Sequence, residues 1–484
     1  MISAGSNKLR LRHNHCRAFQ ILTKVTTLRK IGYFLLFTAI LCAALILPLR
    51  ASGQKGNPKP GRKYTTLQRL SMERLRATSE ERLSLQNSRK KVKTQTGFTD
   101  FKAIMHAHAD DSAHTGGSRP EILKAAKSTG VNIILLTDHA RPPRDFINDS
   151  WRGIREGVLF IPGSESEGFL VYPQKSIIRE YINKSWKGPE EYIRMFRQVG
   201  GNLFLSHVEE RDKWATDELD GLEIYNNHTD FMDEAEFLFW LRGSFTNPER
   251  LLLIEKMLAE YGMEVFGSSQ DYLPQIIAKW DRDSINHRLT GVAANDCHHN
   301  QVYTVKAASP DAIEVNIIGD PPMKITTQQS PKIAEMLKGK NPGDHIARLD
   351  FDPYERSMNF VSTHILSKEL NEEAVRDSLK NSRAYVSHDW LCDPSGFAFI
   401  AEKNGKRAAV MGDEISFSKG LKLRVEATNT ATIKLFRNGQ PISESKSNEL
   451  NFDLKEPGIY RVELWLEIDG EMRPWIYSNQ IRVK

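Results

Sequence analysis

Between residues 97 and 300 short apolar runs alternate with helical segments, and each run ends in polar, mostly ionisable residues. Seven such runs can be read. "FKAIM" closes on His106-Ala-His108, "VNIILL" on Thr137-Asp138-His139, and "VLFIP" on Gly163-Ser164-Glu165. "NLFL" closes on Ser206-His207 and "GLEIY" on Asn226-Asn227-His228. "MEVFG" leads to Gln270-Asp271, and "LTGVAA" to Asn295-Asp296-Cys297-His298-His299. Helices with clear ends lie between them. "SRPEILKAAKSTG" has Ser118 and Glu121 as a capping box, Pro120 in its first turn and Gly130 as its stop. "GPEEYIRMFRQVGG" and "NPERLLLIEKMLAEYG" carry similar signals. Near-continuous apolar strands alternating with helices predict a parallel sheet covered on both faces. An open doubly wound sheet concentrates its chemistry at one switch point. Here nearly every strand ends in a functional side chain, as at the carboxyl-end face of a β/α barrel.

The densest of these ends is "IMHAHADDSAHTGG", with three histidines and two aspartates between His106 and His114. Residues two apart on a strand share a face, so His106 and His108 point the same way. Six strand ends offering His, Asp or Glu would be costly to bury unpaired, and metal ions are the usual compensation. Imidazole with carboxylate suits zinc, manganese or iron better than calcium. There are more donors than one tetrahedral ion needs, which predicts two or three divalent ions sharing a carboxylate.

The motifs "HAH", a histidine six positions later (His114), "LLTDH", "GSE", "LSH" and "NDCH" occur in that order. In this they resemble the polymerase and histidinol phosphatase (PHP) superfamily over roughly residues 97–300. The resemblance implies a distorted seven-stranded β/α barrel with a two- or three-metal site. It implies His106, His108, His114, His139, Glu165, His207, Asp296 and His298 as metal ligands, with Glu165 bridging two ions and Glu165 and Asp296 central to catalysis. His114 matches the trinuclear subset, whereas no histidine lies between Glu165 and His207, where some trinuclear members carry one. His228 is a candidate extra ligand or substrate contact, and Asp138 is expected to orient a ligand ring. His299, Asp271, His364 and His388 are candidate pocket residues, and Cys297 is expected to pack. The activity implied is metal-dependent ester hydrolysis of a small molecule. Phosphoesters come first and carboxylic or carbamate esters second. A degenerate barrel used for cell-surface binding is the alternative of another class, and the near-complete ligand set argues against it.

The remaining chain divides by composition. Residues 1–96 hold 20 Lys and Arg against three acids, while the other 388 hold 47 against 58. The folded part therefore has no basic excess for binding nucleic acid. Residues 31–49, "IGYFLLFTAILCAALILPL", carry no charge and follow seven Lys/Arg, which predicts a cytoplasmic leader (1–30) and a signal peptide or membrane anchor. Ala51 and Gly53 sit at −3 and −1 of a passable cleavage site. The expected location is periplasmic, extracellular or membrane-anchored facing outward. Residues 50–96 read as a linker with a basic helix, 97–345 as the PHP-like barrel, and 346–394 as a connecting helix and strand. Residues 395–484 read as an immunoglobulin-like β-sandwich, from alternating strands and turns such as "RNGQ". Trp465, Trp475 and Tyr477 are expected in its core. Specificity is expected in loops 140–155, 166–187 and 229–250.

Overall fold

The computed structural model describes residues 59–484, so the leader, the apolar run 31–49 and the cleavage motif lie outside the described residues. Among the described residues no helix is long and apolar enough to cross a membrane.

In chain order the first strands are β1 (Thr99–Ala107), β2 (Ile133–Leu136), β3 (Gly153–Arg155), β4 (Val158–Ile161) and β5 (Ser164–Ser166). They are followed by β6 (Phe169–Pro173), β7 (Gly201–Leu205), β8 (Gly221–Asn226) and β9 (Thr290–Ala294). Six of the seven predicted runs are therefore strands. The parallel ladders are β1–β2–β4 and β7–β8–β9. β2, β4, β8 and β9 are buried at every residue, as strands covered on both faces must be.

The seventh run is not a strand. "MEVF" completes the helix Pro248–Phe266, whose Leu251, Ile254, Met257 and Val265 are buried at helical spacing. Gly262 does not stop it, because one internal glycine costs a helix only about 1 kcal/mol and a buried apolar stripe outweighs that. The chain bends instead at Tyr261, with φ −137° and ψ 39°.

The ladders do not close into one seven-stranded barrel. β1, β2 and β4 belong to one sheet and β5–β9 to another. β5 and β6 form an antiparallel hairpin, and β6 runs antiparallel to β7, so a hairpin stands where a β/α unit was expected. The two sheets meet at an isolated parallel bridge, Ala107–Cys297. Among the described residues the fold is mixed α/β with three sheets. The third is an antiparallel set, Val302–Ser309, Ala312–Ile317, Met323–Thr326 and His345–Asp350, packed on the helix Pro248–Phe266.

The C-terminal strands also differ from expectation. Glu471–Ser478 pairs with Ala384–Ser387, which pairs with Ser362–Ser367, which pairs antiparallel with β1. Their ladder thus continues the sheet of β1 instead of standing apart as a sandwich, because the edge of Glu471–Ser478 is used for pairing. One apolar core runs from Phe146 to Val483. Trp465, Trp475 and Tyr477 are buried in the folded interior, and Cys297 and Cys392 are both buried free thiols.

Candidate metal centre

Each strand end brings a side chain to one place. β1 delivers His106 and His108, both fully buried, with their Nε2 atoms 3.1 Å apart. Glu165 from β5 sets Oε2 3.5 Å from His106 Nε2 and 3.6 Å from His108 Nε2. Asp296, just past β9, sets Oδ1 3.3 Å from His106 Nε2 and 3.4 Å from His298 Nε2. His207, just past β7, lies 3.0 Å from Glu165 Oε1 and 3.7 Å from Asp296 Oδ2. His114 returns from the loop after β1, its Nε2 3.1 Å from that of His139, and His139 Nδ1 is 3.7 Å from Glu165 Oε2. All eight expected ligands are brought together. Two overlapping groups have donor atoms close enough to share an ion: His106, His108, Glu165 and Asp296, and His108, His139 and His298.

A second layer of carboxylates sets the rings. Glu223 Oε1 accepts from His106 Nδ1 at 2.7 Å, and its Oε2 accepts from the His207 backbone N–H at 2.8 Å. Asp111 Oδ2 accepts from His108 Nδ1 at 3.0 Å and from the His139 backbone N–H at 2.8 Å. With Nδ1 committed as donor, the rings of His106 and His108, when neutral, turn their Nε2 lone pairs towards Glu165 and Asp296. Acceptors therefore converge on acceptors. Asp296 Oδ1 is buried and has no hydrogen-bond partner, nor has His298 Nδ1. A divalent cation satisfies this arrangement and a neutral hydrogen-bond network does not, so the donor set fits a divalent metal.

The electrostatics carry the same demand for positive charge, which protons on His106 and His207 answer when no ion is bound. Burial opposes a charge on His106, yet Asp296, Glu165 and Glu223 hold it well above the ordinary imidazole value. Burial likewise opposes charge on His207, but hydrogen bonds to Glu165 and Glu209 push it up to about 12. Glu165 and Asp296 are held well below the usual carboxylate range by His106, against burial. Burial and the neighbouring His108 keep His139 at about 4 and His298 well below its ordinary value, so their lone pairs are free. His207 and Asp296 also sit in the left-handed backbone region, at φ 44° and 47°. That strain costs roughly 1–3 kcal/mol per residue and aims both side chains inward.

The floor is closed and the rim is open. His106 and His108 are inaccessible, whereas the His228 side chain is half exposed, with Nδ1 4.0 Å from Asp296 Oδ2. Two expected residues lie elsewhere. Asp138 forms no hydrogen bond to a described ring: it accepts from the Ala109 N–H and pairs with Arg119 and Arg144, because its carboxylate faces the loop after β1. His299 turns away at φ 51° and pairs with Asp350 at 3.2 Å. Of the pocket candidates, Asp271 binds Lys59 and Arg62, His364 lies between Asp100 and Asp389, and His388 packs against Tyr225. Asp111 and Glu223 are the functional residues that sequence reasoning missed. A cavity of about 470 Å³ lies at the opposite end of β1, beside Asp100, Lys102 and Asp389. Lys102 Nζ is already saturated there by Asp389, the Thr129 carbonyl and Asn359.

Neither a known family profile nor a curated protein sequence matches the chain. A solved structure of a two-domain protein from Bacteroides vulgatus ATCC 8482, described as containing a predicted PHP-like metal-dependent phosphoesterase, is similar over 81% of this chain and 98% of its own. The identity is 15% and the TM-score 0.33. A likeness at that level transfers neither fold nor activity, and the reading of the site rests on its geometry.

Proposed function

We propose that this chain is a metal-dependent hydrolase of ester bonds, with phosphoesters as its first substrates. The observation that carries the reading is the convergence of histidine lone pairs on Glu165 and Asp296, backed by Asp111 and Glu223. His106, His108, His139, His207, His298, Glu165 and Asp296 would hold two or three divalent ions, with His114 beside His139. Such ions, when bound, supply Lewis acidity and a water acidified towards neutral pH. Glu165 presents its two oxygens to different rings, as a shared carboxylate must. Glu223 and Asp111 keep the Nδ1 protons of His106 and His108 in place, so that both rings offer Nε2 inward. His228, half exposed at the rim, contacts the substrate. A panel of phosphomonoesters, phosphodiesters and carboxylic esters, assayed with and without chelator, tests the reading. Chelator-sensitive turnover of a phosphoester supports it, and no turnover of any ester by metal-replete protein refutes it.

Export is part of the proposal, supported by the basic flank and the uncharged run 31–49. A reporter fused after residue 60 should be active only outside the cytoplasm, and cytoplasmic activity would overturn that topology.

A further inference from the structure

A second cluster of acids lies one helix away from the histidines. Asp233, Glu234 and Asp271 converge as a cation site would. The chain itself fills it. Lys59 Nζ is 2.8 Å from Asp233 Oδ1, 3.2 Å from Glu234 Oε1 and 2.5 Å from Asp271 Oδ2. Arg62 Nη1 is 2.5 Å from both Glu234 Oε1 and Asp271 Oδ2. Arg69 reaches Asp271 Oδ1 at 3.5 Å and donates to the carbonyls of Ser268 and Gln270.

From Asp271 a hydrogen-bonded path leads to the rim of the metal centre. The Asp271 backbone N–H donates to Asp230 Oδ2 at 2.9 Å, and the Tyr225 hydroxyl donates to the same oxygen at 2.5 Å. Asp230 lies on the helix Asn227–Met232, which also carries His228. At the other end of that helix Asn226 Oδ1 accepts from the His228 N–H at 2.8 Å. Asn226 Nδ2 donates to Glu223 Oε2 at 3.0 Å, and Glu223 holds His106. Six residues are too few to hold a helix alone, so this one depends on its two anchors. One is the Glu223 carboxylate inside the metal centre. The other is Asp271, whose side chain is only 2% exposed and whose charge is compensated by residues 59–69.

We propose that Lys59, Arg62 and Arg69 form a strap that positions the helix Asn227–Met232, and with it His228, against the metal centre. The strap rests on the reading of His228 as a substrate contact. It is a positioning element and touches no candidate ligand. Cleavage after Gly53 would leave it whole on the mature chain.

Hydrogen exchange and kinetics on the full chain test the strap together. Lys59→Gln with Arg62→Gln should raise amide exchange in residues 227–232 at least tenfold, leaving β1 exchange and metal content unchanged. On the best phosphoester of the panel it should raise KM at least fivefold with kcat within twofold. Arg62→Lys should restore most of both effects. Adding His228→Ala to the strap variant should change KM less than twofold further. If the double variant fails to fold, Lys59→Gln alone carries the same test, since its side chain is 30% exposed and less embedded. Unchanged exchange at 227–232 would overturn the strap. So would exchange that rises equally in β1, or effects of strap and His228 that add independently. If no ester is turned over, the functional reading fails, while the exchange arm still decides whether the strap holds the helix.

Discussion

Two acidic clusters in this chain meet the same physical problem and resolve it differently. Asp233, Glu234 and Asp271 are neutralised by Lys59, Arg62 and Arg69, cations of fixed charge supplied by the chain. Glu165 and Asp296 pair, among the described residues, with no lysine or arginine at all. They face six histidines, and further carboxylates hold three of these by Nδ1. Buried carboxylates need positive charge close by. Where the chain provides it permanently, the cluster is a clamp. Where the chain provides imidazoles, the charge must arrive from solution as a proton or as a metal ion, and a metal ion can then do chemistry.

The sharpest way to break this contrast is Glu165→Gln. Glutamine keeps the shape and removes the charge that lets one side chain face several rings. Turnover should fall by roughly 10³-fold or more, with bound metal reduced and the circular dichroism spectrum unchanged. Near-wild-type turnover with full metal would assign the centre to the wrong residues. Glu223→Gln comes next, since it disturbs the setting of His106 and His207 without removing a ligand. Metal affinity measured by competition with a chelator should weaken by about 10–100-fold. His228→Ala should be milder, raising KM roughly 5–10-fold with little change in kcat, the worth of about one hydrogen bond.

The smallest effect concerns stability and sharpens the clamp side of the contrast. His364 is buried between Asp100 and Asp389. Burial opposes its charge, but the two carboxylates raise its pKa to about 10. A raised pKa gives stabilisation that is complete below about 6.5 and lost as pH rises through about 10. Between pH 7 and 10 the wild type should therefore lose on the order of 2–4 kcal/mol more stability than His364→Gln, read from denaturant melts at each pH. Parallel losses in the two proteins would show that His364 is not held as an imidazolium.

The strand ends were legible because a buried parallel strand writes an uninterrupted apolar run, and its first polar residues mark the carboxyl end. Six runs and seven of the eight clustered residues could be located that way, and His114, in the loop after β1, by the motif resemblance. The segment "MEVFG" misled because a short apolar run reads alike in a strand and in a buried helix turn, and only packing on the sheet Val302–Asp350 decides between them. The hairpin β5–β6 was hidden inside an expected loop for want of length. Glu223 sits inside a strand with apolar neighbours, where nothing local distinguishes a ring-holding carboxylate from a surface acid. The strap was least visible. Its charge excess was plain, but its partners are scattered from Asp233 to Glu471, and no local pattern reveals pairing at that separation.

The central claim is that the histidine cluster recruits cations from solution while the acidic clamp does not. Elemental analysis of the purified chain, after reconstitution and removal of loosely held metal, tests it most directly. The account predicts at least two equivalents of transition metal per chain, lost in Glu165→Gln and retained in Lys59→Gln with Arg62→Gln. A fully folded protein with less than one equivalent after reconstitution would contradict it.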